Sequence, residues 1–245
     1  YHDTDTGRFF ARTVFALEAG REAAFAEAFG PLAAELALDW KLVPAAARPR
    51  LVVAVSRLGH CLADLLQRWR TGSLAVDIPA VISNHDDLRG LVEWHGIPFH
   101  HLPVDPADRE AQQRAFLSVV EESAADLVVL ARYMQILSPE QCAALEGRCI
   151  NIHHSFLPSF KGARPYHAAH ARGVKLIGAT AHYVTPELDE GPIIEQDVRR
   201  VTHAHTPAQL VEIGRDVESV VLARAVRWHV EQRVAVDGVK TVVFE

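Results

Sequence analysis

The chain has 245 residues, of which 49% are hydrophobic and 23% charged, the balance of a globular protein with a sizeable core. Its formal net charge of -6 argues against a surface that tracks nucleic-acid phosphates, and no apolar run approaches the roughly 18 residues of a membrane span. The three cysteines, Cys61, Cys142 and Cys149, share no paired spacing, which points to a reducing, cytoplasmic setting without a disulfide framework.

Tyr1 is followed by no signal-peptide pattern. With no initiator Met and a turn-like opening, the chain is expected to be a piece of a longer protein, cut at its N-terminus. Residues 8–16 are rich in aromatic and β-branched side chains and predict a strand. Residues 20–36 have helical spacing, and 38–43 predict a second short strand. Pro44 and Pro49 bracket a linker at 44–49. The β-α-β of residues 1–43 is too small to bury a core alone. It is expected to be part of a small α+β domain or to pair with another chain, which suggests a homo-oligomer.

From residue 50 the pattern changes. Leu51 to Val55 is an unbroken apolar run, as expected of a strand covered on both faces. A helix over 59–70, a strand over 78–83, a helix near 86–95, a strand over 99–102, a helix over 107–123 and a strand over 126–131 follow in turn. Strands at 149–152 and 178–184, a helix near 207–230 and a hairpin over 233–243 complete the series. This rhythm predicts an α/β fold with a doubly wound, mostly parallel sheet spanning residues 50–245. Ligands of such sheets bind beyond the carboxyl ends of the strands. The first β-α turn, Arg57-Leu58-Gly59-His60-Cys61, has one glycine, so neither a dinucleotide fingerprint nor a P-loop is present.

The densest chemistry lies at residues 151–163. Strand alternation puts Asn151 and His153 on one face, where an amide and an imidazole can stabilise a carbonyl oxygen becoming an oxyanion. Pro158, Gly162 and Pro165 mark an irregular loop. About thirty residues on, a Pro- and Gly-bearing turn carries Asp189 at its tip, suited to orient water or relay a proton with the imidazole. Each residue also has a plainer reading. Asn151 and His153 alone would be polar groups satisfied at a strand end, and His182 is as readily a core histidine bonded to backbone as a supporting group. His154 is expected to brace the loop; Met134, Ile136 and Leu137 are core by composition; Arg199, Arg200 and the charges around 212–218 form a solvated surface. Among the fourteen histidines, His153-His154 and His203-Ala204-His205 lack matching Cys or carboxylate spacing. No metal is expected.

The motifs Asn-Ile-His-His-Ser-Phe-Leu-Pro from Asn151, Gly-Ala-Arg-Pro-Tyr-His from Gly162 and Leu-Asp-Glu-Gly-Pro-Ile-Ile from Leu188 strongly resemble the formyltransferase fold of the formyltetrahydrofolate deformylases. Residues 131–138 extend the match, which covers roughly 50–245. The resemblance implies that Asn151, His153 and Asp189 occupy catalytic positions. It implies a pterin pocket of Met134, Gln135, Ile136, Leu137, Val184, Thr185 and Leu188, apolar with a few placed polar groups. It also implies that residues 1–43 are the second half of an ACT-type domain whose first half is absent. The folate is substrate and no cofactor is required.

The same fold hosts transferases to glycinamide ribonucleotide and to methionyl-tRNA. Three features favour water as acceptor: the poor phosphate loop at 57–61, the lack of a basic C-terminal domain, and His154 where the ribonucleotide enzymes usually place proline. The expected reaction is hydrolysis of 10-formyltetrahydrofolate to formate and tetrahydrofolate, feeding purine and one-carbon metabolism. Formyl transfer to an amine and folate binding without turnover are the alternatives.

Overall fold

The computed structural model describes residues 1–154 and 165–244. The irregular loop expected at 155–164 lies outside the described residues. The chain divides into two compact units, with the boundary between Ala47 and Arg48.

In the first unit, helix α1 (Glu22–Glu35) forms where helical spacing predicts it. Neither expected strand does. Residues 8–16 contribute only Phe9, bridged to His2 around a turn closed by the Asp3 N–H to Arg8 carbonyl bond of 2.9 Å. Residues 38–43 carry no ladder at all. A strand is held by its neighbour's backbone groups; among the described residues only 1–3 pair with the start of the first segment, and no ladder forms along 38–43. Their aromatic side chains pack instead: Phe15 on Phe25, Phe25 on Phe29 and Phe29 on Trp40, with ring centroids 5.0, 5.6 and 4.9 Å apart. Aromatic content read as β propensity is here the packing of Phe15 and Trp40, from two segments without a ladder, on one helix.

The second unit is built on a seven-stranded sheet. Strands β1 (Arg50–Val55), β2 (Asp77–Ser83), β3 (Phe99–His101), β4 (Leu127–Leu130) and β5 (Cys149–His153) are parallel, and β6 (Leu176–Tyr183) and β7 (Ile193–Arg200) extend it antiparallel. The order is β3-β2-β1-β4-β5-β6-β7. The chain therefore winds outward from β1 in one direction and resumes from β4 in the other, leaving a switch point between these two strands. The parallel strands are apolar on both faces because both are covered. Leu51, Val53, Val55, Leu127, Val129, Ile150 and Ile152 pack with helices α2 (His60–Arg70) and α7 (Pro207–Val230). Val52, Ala54, Ile82, Val128 and Leu130 pack on the other side with Phe116, Val119 and Val120 of α4 (Arg109–Glu122). Fully burying such a side chain contributes about 1.5–3 kcal/mol.

Helix α3 (Arg89–Trp94) and the hairpin of β8 (Val234–Asp237) and β9 (Lys240–Val243) also fall where expected. Helix α5 (Pro139–Ala144), helix α6 (Pro165–Arg172) and strand β7 do not appear in the sequence reading. The signal for α5 is present: Ser138 caps Gln141 N–H, Gln141 reaches back, and proline follows the cap. Thr206-Pro207 with Gln209 starts α7 by the same device.

Gly214 of α7 sits under the Tyr166 ring, where an added Cβ would lie 2.1 Å from Cζ. The Tyr166 hydroxyl is hydrogen-bonded to Glu218 Oε1 at 2.8 Å and is not free to retreat. Gly214→Ala is therefore expected to destabilise by about 1–3 kcal/mol through overpacking, read as a fall in Tm by thermal melting.

Candidate active site

The polar residues of β5 and β6 reach one face because strand side chains alternate. Asn151 pairs in register with His182, and His153 with Thr180. Their neighbours Ile150, Ile152, Ala179, Ala181 and Tyr183 turn the other way into the core beneath α7. The segment after β6 then folds back over the polar face to deliver Asp189. That residue has φ 59°, a left-handed conformation that aspartate tolerates better than most side chains.

The structure thus brings the three expected residues to one face, with a fourth, His182, among them. Asp189 Oδ2 lies 3.2 Å from His153 Nδ1, and Asp189 Oδ1 lies 3.7 Å from His182 Nε2. Asn151 Nδ2 lies 3.3 Å from the same His182 nitrogen. The other His182 nitrogen, Nδ1, donates to the Tyr183 carbonyl at 2.8 Å, which leaves Nε2 as an acceptor for the Asn151 amide. His182 is therefore a buried histidine tied to backbone whose other nitrogen meets Asn151, with the Asp189 carboxylate 3.7 Å away. The His153 hydrogen bond, with His182 second, holds the Asp189 carboxyl well below the usual carboxylate range. His153 is the hydrogen-bond donor, since His182 at 3.7 Å is beyond hydrogen-bond reach.

The expected pocket wall lies in two parts. Met134 and Ile136 are 58% and 72% exposed, which corrects their reading as core residues. Leu137 and Val184 are half-buried against the α4-side core. Gln135 donates to the Met134 carbonyl at 3.0 Å, and the Met134 N–H donates to Ser56 Oγ at 3.0 Å. That last bond joins the ends of β4 and β1, at the switch point. Thr185 is half-buried, with its hydroxyl on the Glu187 carbonyl, and Leu188 is exposed. Exposed apolar residues clustered at a strand end suit a binding surface better than a core.

Sequence reasoning missed the cluster behind His153. Glu218, taken as part of a solvated charge run, is 1% exposed. It accepts from His60 Nε2 at 2.7 Å and from the Tyr166 hydroxyl at 2.8 Å. Arg132 Nε lies 3.4 Å from Glu218 Oε2, an ion pair whose alignment falls short of a hydrogen bond. Burial opposes ionisation of Glu218, but His60, Arg132 and Tyr166 outweigh it and lower the pKa. His60, Cys61 and Glu218 also bring potential metal-ligand atoms within 4.8 Å of one another. Arg132 already supplies positive charge to that carboxylate, and burial pushes the Cys61 thiol up, so the donor set fits a hydrogen-bonded hub better than a cation site. The only sequence signal for Glu218 was its place on the inner stripe of α7, beside Val217, Val221 and Leu222.

Comparison with known proteins agrees with this architecture. Residues 49–226 match the formyl transferase family model. The formyltetrahydrofolate deformylase of Corynebacterium sp. (strain P-1) is 49% identical over 246 aligned residues, covering 100% of this chain and 86% of that protein. The crystal structure of the Burkholderia mallei formyltetrahydrofolate deformylase superposes with a TM-score of 0.96 at 53% identity, over 100% of this chain and 87% of that one. Glycinamide ribonucleotide transformylase 1 of Symbiobacterium toebii is more distant, with a TM-score of 0.76 and 30% identity over 84% of this chain and 99% of that one. Fold, polar strand face and similarity along the whole chain lead to one assignment: the chain belongs to the formyltetrahydrofolate deformylase family.

Proposed function

We propose that this protein hydrolyses 10-formyltetrahydrofolate to formate and tetrahydrofolate, with Asn151, His153 and Asp189 as its catalytic residues. The observation that carries the reading is the Asp189–His153 pair at 3.2 Å beside Asn151, in a chain similar over its full length to deformylases. Asp189 orients a water and takes its proton as the oxygen adds to the formyl carbon. Asn151 and protonated His153 stabilise the tetrahedral oxyanion. The C–N10 bond then breaks, N10 receives a proton, and formate leaves. Met134 to Leu137, Val184, Thr185 and Leu188 hold the pterin.

Water as acceptor is supported by the turn at 57–61, where His60 is committed to Glu218 and no glycine-rich phosphate cradle is formed. We further propose that residues 1–43 belong to an ACT-type domain joined through 44–49 to the catalytic domain, and that the chain works as a homo-oligomer. Its setting would be the cytoplasm, where released formate feeds purine synthesis. The test is to supply 10-formyltetrahydrofolate and follow formate and tetrahydrofolate release with and without glycinamide ribonucleotide. Release without the amine is expected. Release only with it would make the protein a transferase, and binding without release would make it a folate carrier.

A further inference from the structure

Behind the His153–Asp189 pair stands a second imidazole whose surroundings the reaction above does not use. The His154 ring lies nearly parallel to that of His153, with centroids 4.8 Å apart and planes 21° apart. Its Nδ1 lies 2.6 Å from Arg132 Nη1. A guanidinium has donors only, so Nδ1 of His154 presents a lone pair and the ring proton sits on Nε2. Arg132 is itself set in a left-handed conformation, φ 65°, two residues past the end of β4. Its charge is balanced from α7 by Glu218, which is anchored by His60 and Tyr166.

We propose that Arg132 and Glu218 are positioning residues that lock His154 as an uncharged, Nε2-protonated imidazole stacked on His153, so that positive charge arising in the reaction is confined to the ring paired with Asp189. The inference rests on the reading of His153 and Asp189 as reacting groups. Two stacked imidazoles would otherwise compete for one positive charge, and an imidazolium on the wrong ring would leave the oxyanion without its donor. Arg132 prevents this by occupying the nitrogen that would take the proton. Glu218 keeps Arg132 in place, since a buried guanidinium needs a counter-charge. The groups facing His154 are Arg132 from the end of β4, His153 from β5, Asp189 from the loop after β6, Glu218 from α7 and the Tyr166 ring from α6. Burial, then Arg132, then His153 push the His154 pKa down to about 4, against the opposite pull of Glu218 and Asp189. Its neutral form therefore persists below the ordinary histidine range.

The decisive measurement is long-range proton–nitrogen NMR on the full chain with labelled histidine, the His154 signals being assigned by their loss in His154→Gln. The expected result is an unprotonated Nδ1 that does not titrate through the ordinary histidine range. In Arg132→Met, which removes the donor and the charge, His154 is expected to titrate in that range. The kcat should then fall by up to about 10²-fold, more at lower pH, with KM little changed. Glu218→Gln removes the counter-charge of Arg132 but keeps one acceptor oxygen for the His60–Tyr166 pair, and should show the same pH-dependent loss in milder form. A protonated Nδ1 on His154 in the wild type overturns the proposal, and this reading stands even if Arg132→Met does not fold. A folded Arg132→Met with unchanged His154 titration and kcat profile overturns it too. Failure of the catalytic assignment would be seen elsewhere, as turnover surviving loss of Asp189, and would leave the His154 tautomer as it is.

Discussion

Asp189→Asn is expected to lower kcat by about 10²–10⁴-fold, the range of general acid–base assistance, with the KM for 10-formyltetrahydrofolate nearly unchanged. Asparagine keeps the shape of the side chain and can still contact His153, but it carries no charge and cannot accept a proton from water. Folding should survive, because the residue sits half-buried in a loop over the sheet and the substitution opens no cavity. The same variant makes a statement about pH. The Asp189 carboxyl titrates below its unfolded value because of His153 and then His182. Its stabilising contribution is thus complete above the ordinary carboxylate range and is lost as pH falls through the folded value. The gap in Tm between wild type and Asp189→Asn should accordingly be widest near neutrality and close in acid. Steady-state formate release with parallel thermal melts measures both effects, and near-normal turnover in the variant would remove Asp189 from the mechanism.

Gly191→Ala is expected to damage stability and turnover together. An added Cβ at this position would lie 1.8 Å from the Tyr183 carbonyl oxygen and 2.9 Å from its carbon. Both atoms are backbone. Tyr183 is fixed in β6 by pairing with Ile150, and its N–H bonds the Pro192 carbonyl at 3.0 Å. The loop must therefore move rather than the strand. Overpacking of this kind costs about 1–3 kcal/mol, occasionally more, and each kcal/mol lowers the Tm of a protein this size by about 2–4 °C. The movement is centred two residues from Asp189, where a displacement of about 1 Å is enough to cost about 10²-fold in rate. Melting curves and kcat on the purified variant test the claim, and a wild-type Tm with wild-type turnover would refute it.

Much of the catalytic unit could be read from local pattern. The apolar run at 51–55 marks a strand covered on both faces, and it and the strand expected at 126–131 are both central in the sheet. The helix near 207–230 was legible as an element, but not its buried face, since Glu218 was read within a solvated charge run. Alternation placed Asn151 and His153 on one face before any neighbour was known. Other features misled. In residues 8–16 Phe15 packs on α1 and only Phe9 enters a bridge, because propensity names a suitable partner surface and not how long a backbone partner runs beside it. At α5, Ser138, Pro139 and Gln141 carried a helix start within a stretch read only for its motif.

By itself, then, the sequence determined the parallel α/β core, the facing of Asn151 and His153, and the motif set that places Asp189 in their company. Tertiary structure alone decided which distant groups complete the site. Glu218 meets His60 across 158 residues, and Arg132 meets His154 across 22. His182 lies beside both Asn151 and Asp189 because an antiparallel register and a returning loop converge there. Periodicity reports which face a side chain takes. It carries no information on what the fold later presses against that face, and buried charge is permitted only where a partner from elsewhere in the chain has arrived to meet it.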